Sequence, residues 1–325
     1  MKIAIVGAGA IGGYVGAMLS LAGEQVTCMA RGANLEAIRR AGIKLVLSDG
    51  RELVASEVQA TADYAAAGPQ DLVILAVKAH QVEAVAADLP RLLGPATPVV
   101  TMQNGIPYWY FCRHGGAFEG RCLSSVDPHG VCLRQIVPER VIGCVVYPAA
   151  VLVAPGCIRH IEGDRFPVGE PDGSASERVR TVSACLTRAG FQSPVLDNIR
   201  AEIWLKLWGN LTFNPISALT RATLAEICQY PPTRQLAAAM MTEAQAVAGK
   251  LGIAFRVPIE RRIAGAERVG KHKTSMLHDL EAGRALETEA LLGSVVELAR
   301  MTETPVPTLE AVYALTTLLD RRPAA

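Results

Sequence analysis

An apolar run, Lys2–Val6, leads straight into Gly7-Ala8-Gly9-Ala10-Ile11-Gly12, and helical periodicity takes over from there to residue 22. This strand, glycine turn and helix constrain the fold more than any other segment. In a GxGxxG turn the first glycine permits the tight bend, the second lets the backbone approach a pyrophosphate, and the third lets helix and strand pack closely. The helix N-terminus then faces the phosphates with unsatisfied N–H groups and the positive end of its dipole. Glycine-rich turns are common, so the hexapeptide alone is a weak signal. Its place between a strand and a helix makes a dinucleotide-binding βαβ unit the expectation, against a plain glycine turn.

Residues 25–30, 72–77 and 98–102 are further strand-like runs, and residues 34–41 and 80–93 read as helices between them. Runs that are apolar throughout and separated by helices imply a parallel sheet covered on both faces. After residue 198 the texture changes: residues 201–213, 222–227, 233–250, 259–269, 274–282, 287–300 and 309–319 all repeat at helical spacing. A chain of 325 residues is expected to form two domains. The predicted fold class is α/β: an N-terminal Rossmann-type dinucleotide-binding domain with a mainly parallel sheet over residues 1–197, followed by an all-α domain over residues 198–325. The stretch 107–138, rich in Gly, His, Cys and aromatics, reads as a long excursion between strands.

Composition narrows the functional classes. Half of the residues are hydrophobic and only 5% are aromatic, so an aliphatic core is expected. Thirty-two Lys and Arg against 31 Asp and Glu leave a net charge of +1 and no global field for nucleic acid or an acidic membrane surface. The eight cysteines include no CxxC pair, and no His stands at metal-ligand spacing; reduced thiols in a cytoplasmic protein, and no metal site, are expected. The glycines of the first 23 residues argue against a signal helix, and no stretch of ~18 uninterrupted apolar residues is present for a membrane span.

Cofactor choice follows from charge. An NAD-preferring site usually carries Asp or Glu about 20 residues beyond the glycine turn, where it accepts hydrogen bonds from the ribose hydroxyls. Here the second strand, Gln25-Val26-Thr27-Cys28-Met29-Ala30, ends in Arg31-Gly32. A guanidinium at that place suits a dianionic 2′-phosphate and favours NADP(H) over NAD(H); the bland alternative is a solvated loop cation.

The segment Glu202-Ile203-Trp204-Leu205-Lys206-Leu207-Trp208-Gly209-Asn210-Leu211-Thr212-Phe213-Asn214-Pro215 sets Lys206, Asn210 and Asn214 at i, i+4 and i+8, on one helix face. Two readings stand open: a solvated polar stripe, or a set of groups that would be costly to bury without partners. A second polar cluster spans Lys273-Thr274-Ser275-Met276-Leu277-His278-Asp279 and Gly283-Arg284-Ala285-Leu286-Glu287. On its own it reads as caps and surface charges.

Taken together and in this order, the motifs resemble the ketopantoate reductase family (2-dehydropantoate 2-reductases). The resemblance covers nearly the whole chain: Gly7 to Gly12, Arg31-Gly32, Val77-Lys78-Ala79, Gln103-Asn104-Gly105, the WxKxxxNxxxNPxxAL segment from Trp204 to Leu219, residues 273–279, and Gly283-Arg284 with Glu287. It implies NADPH-dependent reduction of ketopantoate to pantoate in pantothenate and coenzyme A synthesis, with Lys206 as the catalytic general acid. It further implies that Asn210 and Asn214 bind substrate and that Ser275 helps hold the substrate carboxylate. Glu287 is similar to the family's acidic residue near the nicotinamide ribose and the active site, serving catalysis and cofactor binding. Asn104 falls where the family meets both cofactor and substrate. Lys78 and the backbone of Ala149 fall where it meets NADPH, with Gly7, Ala8, Gly9, Ala10, Ile11 and Gly12 around the phosphates.

The implied roles make chemical sense. Hydride delivery to a 2-keto acid builds negative charge on the carbonyl oxygen, which a nearby ammonium both stabilises and protonates. Lysine suits the part because burial readily brings its pKa towards working pH, although an ionised Glu287 nearby would oppose that. Two departures from the family pattern bear on the substrate: Leu224 stands where a further polar contact is usual, and residues 106–141 are longer than in compact members. A different 2-keto acid therefore stays open as substrate, as does a non-catalytic NADP(H)-binding sensor. The pairing of Lys206 with Glu287 argues against the sensor, which needs no acid. A relative of the wider 3-hydroxyacid or glycerol-phosphate dehydrogenases would share the two-domain plan but not the WxKxxxNxxxNP spacing. The expected partner is a small-molecule 2-keto acid, and the 107–138 excursion and aliphatic C-terminal helices offer surface for a homodimer.

Overall fold

The apolar runs of the N-terminal region become strands in the structure, a computed structural model that describes residues 1–321. In chain order they are β1 (Lys2–Val6), β2 (Gln25–Met29), β3 (Ile43–Val46), β4 (Glu52–Ala55), β5 (Gln59–Thr61), β6 (Leu72–Leu75), β7 (Val99–Thr101), β8 (Val141–Cys144), β9 (Ala149–Ala154), β10 (Cys157–Glu162) and β11 (Val168–Gly169). Seven of them form one sheet in the order β11-β8-β7-β6-β1-β2-β5, parallel except for the edge strand β11. Every residue of β6, β7 and β8 is buried, which is why these strands read as unbroken apolar runs rather than alternating ones.

A second sheet, β4-β3-β10-β9, was not expected from the sequence. Its strands carry four to six residues each and β9 is apolar yet exposed, so no long buried run marks them. Helix α1 (Ala10–Leu21) contacts strands of both sheets. A Cβ on Gly13 would come within 2.8 Å of Ile158 in β10, and one on Gly16 within 3.3 Å of Ile5 and 3.4 Å of the Cys28 sulfur. The glycines beyond the GxGxxG turn thus thin the two flanks of a helix that packs on both sides.

Residues cluster into two units, each with its own core. One comprises Met1–Gln103, Tyr108–Cys122 and His129–Ile199; the other comprises Asn104–Pro107, Leu123–Pro128 and the chain from Arg200 onward. The predicted helix over 80–93 is broken into a turn Ala79–Gln81, a short helix Val82–Ala86 and a turn Leu89–Leu92, because Pro90 cannot sit in a helix interior. The 107–138 stretch is not one loop. Tyr108, Trp109, Tyr110 and Phe111 are buried in the first unit, where the Trp109 indole donates to Thr101 Oγ1 at 2.8 Å. Residues 123–128 belong to the second unit, where Glu297 accepts from the backbone N–H groups of Ser124 and Ser125 at 2.8 and 2.9 Å.

No strand occurs among the described residues of the second unit. Its longest helix, Ile199–Thr220, is anchored by Trp204, fully buried, and by Trp208, whose indole donates to the Met241 carbonyl at 2.8 Å and stacks on Phe255. Burying each large apolar side chain of this kind contributes roughly 1.5–3 kcal/mol. The helix expected over 287–300 opens instead with a π-helical turn, Glu289–Gly293, before the α-helix Ser294–Met301. No helix among the described residues is long and apolar enough to cross a membrane.

Candidate functional site

In the first unit, Gly7, Ala8, Gly9, Arg31, Asn34, Tyr64 and Val77 contribute to the walls of a cavity of about 350 Å³. The three glycines of the turn are there for three different reasons. Gly7 has φ +99°, and a Cβ on it would lie 2.6 Å from the Val77 side chain and 2.9 Å from its backbone nitrogen. A Cβ on Gly12 would collide with the Gly7 carbonyl oxygen, whereas one on Gly9 would meet no protein atom within 4 Å. Gly9 is exposed, and its Cβ direction is open space that a ligand can use.

Arg31 is exposed at the N-cap of the helix Gly32–Ala41 and makes no ion pair with a carboxylate among the described residues. Burial pushes the Tyr64 phenol up, and the neighbouring Arg31 charge opposes that shift, which sets the guanidinium beside this wall of the cavity. Asn34 escaped the sequence reading. Its amide nitrogen donates to the Ala8 carbonyl at 2.7 Å and its amide oxygen accepts from Gly156 N–H at 2.8 Å, so it braces the glycine turn. The only sequence signal for it is an Asn in the first turn of the helix that Arg31 opens.

Ala10, Ile11 and Gly12 form the first turn of α1, behind the cavity wall. Lys78 is half-buried ahead of the turn Ala79–Gln81, and its backbone N–H donates to the side chain of the cavity-lining Gln81 at 3.3 Å. Ala149 opens β9, three residues before the cavity-lining Leu152, and does not itself line the cavity.

In the second unit, Lys206 donates from Nζ to Oδ1 of Asn104 at 2.5 Å, and Nδ2 of the same amide donates to Glu287 Oε2 at 3.1 Å. Three residues distant in sequence meet here, and the backbone explains how. Gly105 has φ +83°, and a Cβ on it would collide with the Ala290 carbonyl oxygen. The Ile106 N–H donates to that same carbonyl at 3.0 Å. Ala290 lies in the π-helical turn, and its carbonyl also accepts from the Ser294 hydroxyl at 2.8 Å. The segment carrying Asn104 is thereby docked beside Glu287.

Further along the Lys206 helix, Asn214 is buried and its amide donates to Ser275 Oγ at 3.5 Å. Asn210 lies between them on the same face, half-buried. Ser275 is exposed at the start of the helix Ser275–Glu281, which Thr274 caps. The face therefore presents, in order, an ammonium, an amide, and an amide coupled to a hydroxyl. Leu224 is half-buried in the first turn of Leu224–Gln229, which Thr223 and Glu226 close with a capping box. Among the described residues, no group of three or more His, Cys, Asp or Glu is placed to hold a metal ion.

Residues 3–173 match the family model described as Ketopantoate reductase PanE/ApbA, and residues 198–320 match Ketopantoate reductase PanE/ApbA C terminal. The chain belongs to the ketopantoate reductase family. Among curated family members, the 2-dehydropantoate 2-reductase of Mesorhizobium japonicum is 54% identical over 316 residues, covering 97% of this chain and 96% of that protein. The 2-dehydropantoate 2-reductase of Archaeoglobus fulgidus is 30% identical, covering 91% of this chain and 90% of that one. The ketopantoate reductase fold extends to a Ralstonia solanacearum structure assigned to the same enzymes, with a TM-score of 0.94 at 43% identity over 98% of this chain and 97% of that one.

Proposed function

We propose that this protein reduces 2-dehydropantoate (ketopantoate) to pantoate with NADPH, the step that supplies pantoate for pantothenate and coenzyme A synthesis. The observation that carries the residue-level reading is the Lys206–Asn104–Glu287 set, an ammonium held in place by an amide that a carboxylate orients. Membership of the family and the 54% identical 2-dehydropantoate 2-reductase support the substrate.

The cavity of the first unit fits the cofactor. Gly9 leaves room for a pyrophosphate against the backbone at the start of α1, and Arg31 offers an uncompensated cation for the 2′-phosphate. Gly7, Ala8, Gly9, Ala10, Ile11, Gly12, Arg31, Lys78 and Ala149 are the residues of this unit assigned to NADPH. When bound, NADPH supplies the hydride.

Lys206 is assigned as general acid. An ammonium carries three N–H donors, so one can hold Asn104 while another meets the ketone oxygen and transfers its proton as negative charge develops there. Asn104 and Glu287 fix the direction of that ammonium, and both also stand in the reading as contacts to cofactor. Asn210, Asn214 and Ser275 are assigned to the substrate, through amide and hydroxyl donors suited to its hydroxyl and carboxylate oxygens. The protein is assigned as a cytoplasmic homodimer, in which a second copy would cover the exposed Leu315 and Leu318 on the helix Pro307–Asp320.

NADPH oxidation over a panel of 2-keto acids tests the proposal. Ketopantoate should be turned over with the highest kcat/KM. Turnover no better than that of pyruvate or 2-ketoisovalerate overturns the substrate, and cofactor binding without turnover of any 2-keto acid overturns the enzyme.

A further inference from the structure

Gly209 lies in the middle of the helix Ile199–Thr220, where glycine costs roughly 1 kcal/mol relative to alanine. It is buried, and the room its side chain would take is filled by the guanidinium of Arg262, from the helix Ile259–Val269. A Cβ on Gly209 would collide with Nη2 and lie 3.2 Å from Cζ and 3.6 Å from Nε of Arg262. Only a glycine lets the guanidinium lie this close to the helix.

The position matters because of its neighbours. On an α-helix, residue i meets i+3 and i+4 one turn on, with Cβ atoms about 5–6 Å apart. For Lys206 these are Gly209 and Asn210. The Arg262 guanidinium therefore lies against the helix at the residue one turn on from Lys206, beside the position of the Asn210 amide. Among the groups assigned to substrate, Asn210, Asn214 and Ser275 offer only neutral donors, and the ammonium of Lys206 is committed to the ketone oxygen.

We infer that Arg262 binds the carboxylate of the 2-keto acid, an inference that rests on the reductase reading and deepens it. A guanidinium presents a planar fork that matches a carboxylate bidentately, and its charge-assisted bonds are about twice as strong as neutral ones. In a 2-keto acid the carboxylate is bonded directly to the ketone carbon, so two cations set about one turn apart, Lys206 on the helix and Arg262 packed against it at Gly209, divide the work. Arg262 holds the acid, and Lys206 is left to the oxygen that must be protonated. The helix-weakening glycine at 209 is what admits the first of them.

Calorimetric titration of the full chain with NADP+ present, using pantoate and its uncharged primary amide, tests this. Arg262→Gln should weaken pantoate about tenfold or more, while the amide changes by less than about twofold. KM for ketopantoate should rise by a similar factor with kcat within about threefold, and Arg262→Lys should recover part of the loss. Gly209→Ala, which pushes the guanidinium aside without removing it, should raise KM in the same direction. Unchanged pantoate affinity in Arg262→Gln, or equal losses for acid and amide, overturns the inference and leaves Arg262 a packing residue. Wild-type turnover of the 2-keto acids judges the reductase reading separately, whereas the acid-to-amide ratio judges Arg262.

Discussion

Lys206 Nζ and Asn104 Oδ1 are 2.5 Å apart, and the other end of that amide donates to Glu287 at 3.1 Å. The two contacts determine each other. Turning the amide over would set its NH2 group against the ammonium and its oxygen against the carboxylate, both repulsive. Asn104 is therefore held in one orientation by opposite charges on its two ends, and Lys206 is held by an acceptor that cannot take its proton as a carboxylate would.

If Lys206 is the acid, Lys206→Ala should lower kcat by ~10² or more, the usual worth of a positioned proton donor. NADPH affinity, carried chiefly by the glycine turn and Arg31 of the first unit, should stay within about threefold of wild type. Stopped-flow NADPH oxidation together with a fluorescence titration of NADPH separates the two. A near-normal rate would remove Lys206 from the role.

Gly105→Ala tests how Asn104 is placed. The left-handed backbone at φ +83° costs a side chain roughly 1–2 kcal/mol, and the collision with the Ala290 carbonyl adds to it. The variant should melt several degrees lower and lose activity beyond what its folded fraction explains, because the Ile106 to Ala290 hydrogen bond and the Asn104 amide shift together. Thermal melts paired with kcat on the folded protein check this; full activity in a destabilised variant would show that the backbone here serves stability alone.

The glycine turn and the polar face of the 199–220 helix were legible because each rests on short-range rules: a φ only glycine reaches, and a side-chain spacing of four. The π-helical turn at Glu289–Gly293 was not, since the residues over 287–300 repeat at ordinary helical spacing and the Ile106 N–H that meets the Ala290 carbonyl lies far away in sequence. Asn34 and Gly209 were missed for the same reason. What each does depends on a partner, Ala8 and Gly156 in one case and Arg262 in the other, that no local pattern announces. The second sheet was missed because β9 exposes Val151, Leu152 and Val153, which breaks the rule that apolar strands are buried.

Arg31→Ala should weaken NADPH about 10- to 100-fold, the loss expected for a hydrogen bond to a charged phosphate, and NADH by less than about threefold. Equilibrium titrations with the two nucleotides decide it. Equal losses would mean that Arg31 is only a solvated cation at the mouth of the cavity. Because the contact is charge-assisted and exposed, the difference should also shrink as salt is raised.

Glu297 ties residues 123–128 to the second unit, and its titration makes that tie sensitive to acid. Burial alone would raise its carboxyl, but hydrogen bonds from Ser125 and Ser124 outweigh burial and hold it below the usual carboxylate range. A carboxylate more acidic in the folded than in the unfolded chain adds stability that is complete above the unfolded value near ~4.3 and is lost as pH falls through the folded one. Glu297→Gln should therefore lower Tm most at about pH 7 and progressively less below about pH 4, where the wild-type side chain is itself becoming neutral. Calorimetric melts of both proteins across that range should converge on the acid side; parallel curves would show that the serine contacts do not depend on the charge of Glu297.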